Sequence, residues 1–171
     1  MKNLIARCLL PFLIAPVCAA DFPERPLRVI VANVPGSGVD VLTRIVTARL
    51  GPELGQHIVV DNRIDSRPGA GQSLGAEAAA RAKPDGYTLL ISTNAPITIN
   101  PVISKVGYDP LRDFDPVIKL GQNAMVLVTN PKLPVKSVAE LVALAKSKPR
   151  AMNAGSSGNG TTAHQIGRAH V

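Results

Sequence analysis

The sequence holds no tryptophan, and aromatic residues make up only 3% of it. Beyond the first twenty residues the aromatics are Phe22, Tyr87, Tyr108 and Phe114, too few for the base-stacking platforms of a nucleic-acid surface. The two cysteines, Cys8 and Cys18, both lie within those first twenty. A chain that sheds them keeps no disulfide and no thiolate, so its core must hold without a covalent staple. His57, His164 and His170 show no H-E-x-x-H spacing, so no metal site is expected. The formal charge of +7 comes from scattered Lys and Arg with no basic run. Ordinary surface charge accounts for it, and small anions rather than nucleic acid are the expected partners.

What is present begins with an export signal. Lys2 and Arg7 are its positive start, Cys8 to Val17 its apolar core, and Cys18-Ala19-Ala20 its small-residue end before Asp21. The apolar core is too short to span a bilayer, and no later run approaches that length. Cleavage is expected near Ala20, giving a periplasmic product. Lipid attachment at Cys18 is the competing reading, and Val17 before it fits that poorly.

The stretch around which the remainder is arranged is Pro35-Gly36-Ser37-Gly38-Val39-Asp40. An apolar run, Leu27 to Ala32, leads in and reads as a buried strand. A helical pattern leads out, with Leu42, Ile45, Val46 and Leu50 on one face. Glycines between a strand and a helix let backbone N–H groups turn toward an anion, and a helix N-terminus favours negative charge. An anion cradle and a plain Gly-rich turn both satisfy the pattern.

Gly51-Pro52 is expected to end that helix. His57 to Asp61 reads as a second strand, Asn62 to Gly71 as a loop, Ser73 to Ala82 as a helix, and Tyr87 to Ile91 as a third strand closed by Ser92-Thr93-Asn94. Strands alternating with helices imply a parallel sheet with helices on its faces. Proline-rich sequence follows to Pro116, then strand-like runs at Val117–Leu120 and Met125–Thr129. Ser137-Val138-Ala139-Glu140 is a capping box opening a helix to about Ser147. After the short strand-like Met152-Asn153-Ala154 comes a second Gly-rich loop, Gly155 to His164, in which Thr161 or Thr162 can cap a helix.

Neither loop carries the residues of nucleotide hydrolysis or of a serine nucleophile. Gly155 to Thr161 has P-loop spacing without the lysine. Gly155-Ser156-Ser157-Gly158 is not a G-x-S-x-G elbow. Pro35 to Asp40 lacks the third glycine of a dinucleotide fingerprint, although Asp61 stands where a ribose-binding acid would. An exported dinucleotide-dependent oxidoreductase is therefore the alternative class. No catalytic residue and no cofactor is expected otherwise.

Taken in order, FPERPLRVIV, PGSGVDVLTR, GQHIVVDNR, RPGAGQSLGAEAAARAKPDGYTLLIST, INP, YDPLRDFDPV, VLVTNPKLPVKSVAELVALAK and NAGSSGNGTTAH resemble the extracytoplasmic (Bug-type) receptors of tripartite tricarboxylate transporters. The resemblance runs from Phe22 to about His164. It implies an α/β, periplasmic-binding-protein-like fold of two lobes, with parallel-rich sheets flanked by helices. The first lobe would be 21–120 and the second would start at 121–165 and be incomplete. It implies capture of a small carboxylate, delivery to membrane permease subunits, and no catalysis. The implied ligand positions are Gly36, Ser37, Gly38 and Asp40, then Ser92, Thr93 and Asn94, then Ser156, Ser157, Gly158, Thr161 and Thr162. Two departures stand out. Ile64-Asp65-Ser66-Arg67 separates Asn62-Arg63 from Pro68-Gly69, and Gln72 follows Gly71 where the family commonly has glycine. Ile166 to Val171 reads as a translated sequencing adapter, so 166–171 is expected to be a non-native tail on an incomplete receptor.

N-terminal sequencing of the exported product should start at or next to Asp21. A lipidated Cys18 or an uncut start would refute the signal assignment.

Overall fold

The computed structural model describes residues 22–64, 72–148, 152–153, 155–156 and 161–169, without the side chains of 167–169. The signal segment 1–20 and the loop residues Ser157 and Gly158 lie outside them.

Strand β1, Leu27–Val31, is the middle of a parallel three-stranded sheet of order β2-β1-β3. Its neighbours are β2, Ile58–Asn62, and β3, Thr88–Ile91. The register sets Val29 against Val60 on one side and Leu89 on the other. Leu27, Val29 and Val31 bury one face of β1, and Ile30 with Ala32 the other, all at 3% exposure or less. A strand covered on both faces reads as a continuous apolar run, which is why it is legible without alternation.

Helix α1, Gly38–Leu54, packs on β1 and β2, and α2, Ser73–Ala80, packs on β1 and β3. The chain steps from β1 to β2 on one side and then passes over β1 to β3 on the other. Right-handed crossovers in opposite directions put the two helices on opposite faces. The lead-in is tied to the start of β3: Glu24 N–H donates to Tyr87 Oη at 2.9 Å, and Arg25 stacks on the Tyr87 ring while pairing with Asp85.

Helix α1 departs from expectation twice. It does not stop at Gly51-Pro52 but runs to Leu54, ending at Gly55 in the left-handed conformation, φ +63°. Pro52 is tolerated because it lies in the last turn, where only one helical hydrogen bond is lost. Nor is the apolar face of Leu42, Ile45, Val46 and Leu50 the most buried one: Leu42, Val46 and Leu50 are half-buried and flank it. The buried stripe is Asp40, Thr43, Thr47 and Gly51, while Ile45 is 57% exposed. Small side chains bring the helix close to the sheet, and the hydroxyls are satisfied locally: Thr43 donates to Val39 O and Thr47 to Arg44 O.

After β3 the chain turns through a π-helical segment, Ala95–Ile99, into a short α3, Asn100–Ile103. Prolines sit at the first positions of both, where a missing N–H costs nothing. Tyr108 closes over this turn, donating to Pro96 O at 2.5 Å with its ring edge-on to Phe114.

The strands expected at Val117–Leu120 and Met125–Thr129 do not form. Val117, Ile118, Val126 and Val128 are 76–82% exposed, and no residue from 109 to 148 is buried. A strand needs a partner ladder, and the described residues offer these runs none. Nor do Met152 and Asn153 form one. Helix α4, Val138–Ser147, forms where its capping box lies: Ser137 Oγ accepts from Glu140 N–H at 3.2 Å. Glu140 reaches back one residue further than expected, to Lys136 N–H at 2.7 Å. Helix α5, Thr162–Ala169, starts from Thr161, whose Oγ1 accepts from His164 N–H. Among the described residues no helix is long and apolar enough to cross a membrane.

Gly75 sets the closest helix–sheet approach. A Cβ there would stand 2.6 Å from Ala32 Cβ, 2.8 Å from Ala32 Cα and 2.9 Å from Arg63 O. In an ordinary helix interior Gly→Ala stabilises. Here Gly75→Ala should instead lower urea-unfolding stability by about 1–3 kcal/mol through overpacking. A neutral or stabilising result would disprove the close approach.

Candidate functional site at the carboxyl edge of the sheet

All three strands of a parallel sheet point their carboxyl ends to one edge, and ligands bind where the chain's direction of travel across the sheet reverses. In the order β2-β1-β3 that reversal lies between β1 and β3. The loop after β1 carries Gly36, Ser37, Gly38 and Asp40, and the loop after β3 carries Ser92, Thr93 and Asn94. The two groups expected from sequence therefore flank one switch point.

The first loop is built around Asp40. Its side chain is 2% exposed at the third position of α1. The carboxylate accepts from Gly36 N–H at 2.8 Å, Arg44 Nε at 3.0 Å and Asn62 Nδ2 at 3.0 Å. Asn62 Nδ2 also donates to Asn33 O at 3.2 Å, tying the end of β2 to the end of β1. Ser37 Oγ accepts from Asp40 N–H at 3.3 Å and caps the helix, while the Asp40 carboxylate reaches back past Ser37 to Gly36 N–H. These donors, Arg44 first, hold the Asp40 carboxyl at a pKa of about 2.

This arrangement changes the cradle read from sequence. Gly36 N–H is consumed by Asp40, Ser37 N–H by Val34 O, and Val34 N–H by Asn33 Oδ1. Gly36 sits at φ +78°, as a turn of this hand requires. The amides of Gly38 and Val39, the first two of α1, have no hydrogen bond among the described residues. A Cβ on Gly38 would meet nothing within 4 Å, so the approach to those amides is open. Asp40 is a buttress behind the loop and its oxygens are fully engaged.

The loop after β3 leaves the same edge of the sheet from the adjacent strand. Thr93 Oγ1 donates to Gln72 Oε1 at 2.6 Å and accepts from Ala95 N–H at 3.3 Å. Ser92 Oγ is enclosed and has no hydrogen-bond partner among the described residues. Asn94 Oδ1 accepts from Thr162 Oγ1 at 2.9 Å, which brings the start of α5 onto the β3 loop. Thr161 is occupied as the α5 cap, and Ser156 is exposed. The structure thus joins Asn94 with Thr162 and places Thr161 beside them.

Sequence reasoning missed Asn62 and Gln72 at this edge. Gln72, the residue before α2, is the one non-glycine with positive φ among the described residues, at +70°. Its signal was the run Gly69-Ala70-Gly71-Gln72, with glutamine at a position that asks for glycine. Asp61, where a ribose-binding acid would stand, is held by Arg28 and Arg63, and Arg28 in particular pulls its pKa down. It is not free to take a sugar hydroxyl. No group of His, Asp, Glu or Cys suited to a metal occurs among the described residues.

The Asp40 network has a pH signature. Its folded pKa of about 2 lies below the ordinary 3.8. Its stabilisation is therefore complete above about pH 3.8 and lost as pH falls toward 2. Acid unfolding of the wild type should be steeper across that window than that of Asp40→Asn, which lacks the titrating group. Superimposable profiles would show that Asp40 is not the buried anion described.

Comparison with known proteins places the chain in a family. Residues 42–169 match the family described as Tripartite tricarboxylate transporter family receptor. Protein BugT of Bordetella pertussis is 38% identical over 154 residues, covering 89% of this chain and 46% of BugT. MatC (Rpa3494) from Rhodopseudomonas palustris, solved with bound malate, superposes with a TM-score of 0.67 at 30% identity, over 82% of this chain and 47% of MatC. Rpa4515 of R. palustris, solved with adipate, gives 0.62 at 33% identity, over 84% and 47%. The chain spans about half the length of the curated relatives it matches. A family match across most of its length, with superposition on solved structures at 30% identity and above, makes this chain a member of the tripartite tricarboxylate transporter receptor family.

Proposed function

We propose that the protein is a periplasmic receptor that captures a small carboxylate at the carboxyl edge of this sheet and passes it to the permease subunits of a tripartite tricarboxylate transporter, with no covalent chemistry. The observation that carries the reading is the open pair of amides, Gly38 and Val39, at the N-terminus of the long helix α1 beside the switch point. The helix dipole favours an anion there, and Gly38 leaves it room. Gly36 and Ser37 shape the cradle. Ser92, Thr93 and Asn94 offer hydroxyl and amide groups from the adjacent loop, and Thr162 joins them through Asn94.

Thr161, with Ser156, Ser157 and Gly158, supplies the opposing loop from a second lobe beginning at 121. No arginine lies in either loop, so the carboxylate is neutralised by dipoles rather than by an ion pair. Relatives of this fold hold malate and adipate, which supports a carboxylate ligand.

Calorimetry of the full-length receptor against malate, adipate and amino acids tests this. At least one carboxylate should bind with a dissociation constant of about 1 μM, near 8 kcal/mol. Gly38→Val should leave the fold intact, since its Cβ enters open space, yet weaken that binding about tenfold or more by covering the amides. Unchanged affinity in Gly38→Val would remove the α1 amides from the site. Absence of binding to every carboxylate would remove the receptor reading.

A further inference from the structure

Gln72 is held in a conformation that glutamine disfavours. Its φ of +70° lies in the left-handed region, where a Cβ crowds the following carbonyl and glycine is the unstrained choice. Such outliers persist where surrounding contacts over-determine them, and they gather at ligand sites. Two contacts do so here. Ser73 Oγ, one residue on, accepts from Asn100 Nδ2 at 2.9 Å, which pins the start of α2. The Gln72 side chain makes no cap to its own helix. Its Oε1 instead crosses to the next loop and accepts from Thr93 Oγ1 at 2.6 Å.

That bond orients a planar amide. With Oε1 committed to Thr93, Nε2 stands on the other side of the same carbon, and its N–H groups donate to nothing among the described residues. The neighbouring Ser92 Oγ is also enclosed and unpartnered among them. Glutamine fastened to the β3 loop thus adds donors to the edge of the site that a glycine would leave bare.

We propose that Gln72 is a specificity-determining residue: the strained, Thr93-anchored amide presents Nε2 to a second acceptor on the ligand, so that this receptor prefers a dicarboxylate over the matching monocarboxylate. This rests on the receptor reading above. The α1 amides take one carboxylate, and Gln72 reads the far end. A site built to donate to a polar group discriminates strongly against an analogue that lacks the group.

The test uses the full-length receptor and matched probes: adipate with hexanoate, and malate with 2-hydroxybutanoate. Gln72→Gly should keep or raise the thermal unfolding midpoint, because glycine suits the conformation. It should weaken the favoured dicarboxylate about tenfold and leave its monocarboxylate within about twofold. Gln72→Glu is the sharper variant. A glutamate oxygen can still accept from Thr93, but its other atom is an anion in place of a donor. Dicarboxylate affinity should therefore fall further, by about a hundredfold. If wild type binds a carboxylate and either variant binds both probes of the pair as wild type does, the role of Gln72 is overturned while the receptor reading stands. If wild type binds none of the four, the receptor reading falls and this inference with it.

Discussion

The Asp40 carboxylate, buried at the start of α1, is the interaction on which this edge of the molecule depends. It gathers a loop amide from Gly36, a guanidinium from Arg44 and an amide from Asn62, and through Asn62 it reaches the carbonyl after β1. One group thus joins the end of β1, the Gly-rich turn, the first helix and the end of β2. A charge taken this far from water is retained only when it is paired and hydrogen-bonded, and here its three donors come from different parts of the edge. The turn is consequently rigid before any ligand arrives, which lowers the ordering cost of binding.

That network also decides how an anion is met. The helix dipole leaves positive character at Gly38 and Val39. Arg44, the nearest arginine along α1, is already paired to Asp40 and bonded to Asn62 Oδ1 at 3.1 Å. An anion at this loop would meet amide and hydroxyl dipoles rather than a free Arg44.

Much of the frame was legible in the residues. The apolar run Leu27 to Ala32 announced a strand covered on both faces, and the three strands and first two helices lie within a few residues of the pattern that foretold them. Ser137 acts as the cap it was read to be, and of Thr161 and Thr162 it is Thr161 that caps. The failures share a cause. Val117–Leu120 and Met125–Thr129 have strand composition, but a strand is a property of a pair of segments and composition reports only one. The inward face of α1 was misread because hydroxyls satisfied within the helix, as in Thr43, can be buried as readily as a methyl.

The sequence by itself determined the order of the first three strands and two helices and where α2 and α4 start, because periodicity and capping act over a few neighbouring residues. Only the tertiary structure decided what the turns between them do. Asp40 meets Asn62 across 22 residues, Gln72 meets Thr93 across 21, and Thr162 meets Asn94 across 68. Whether a loop amide is open or spent, and whether a strained glutamine faces the site, depends on those distant partners. No local pattern encodes such meetings, since they exist only once the parallel sheet has brought its carboxyl ends to one edge.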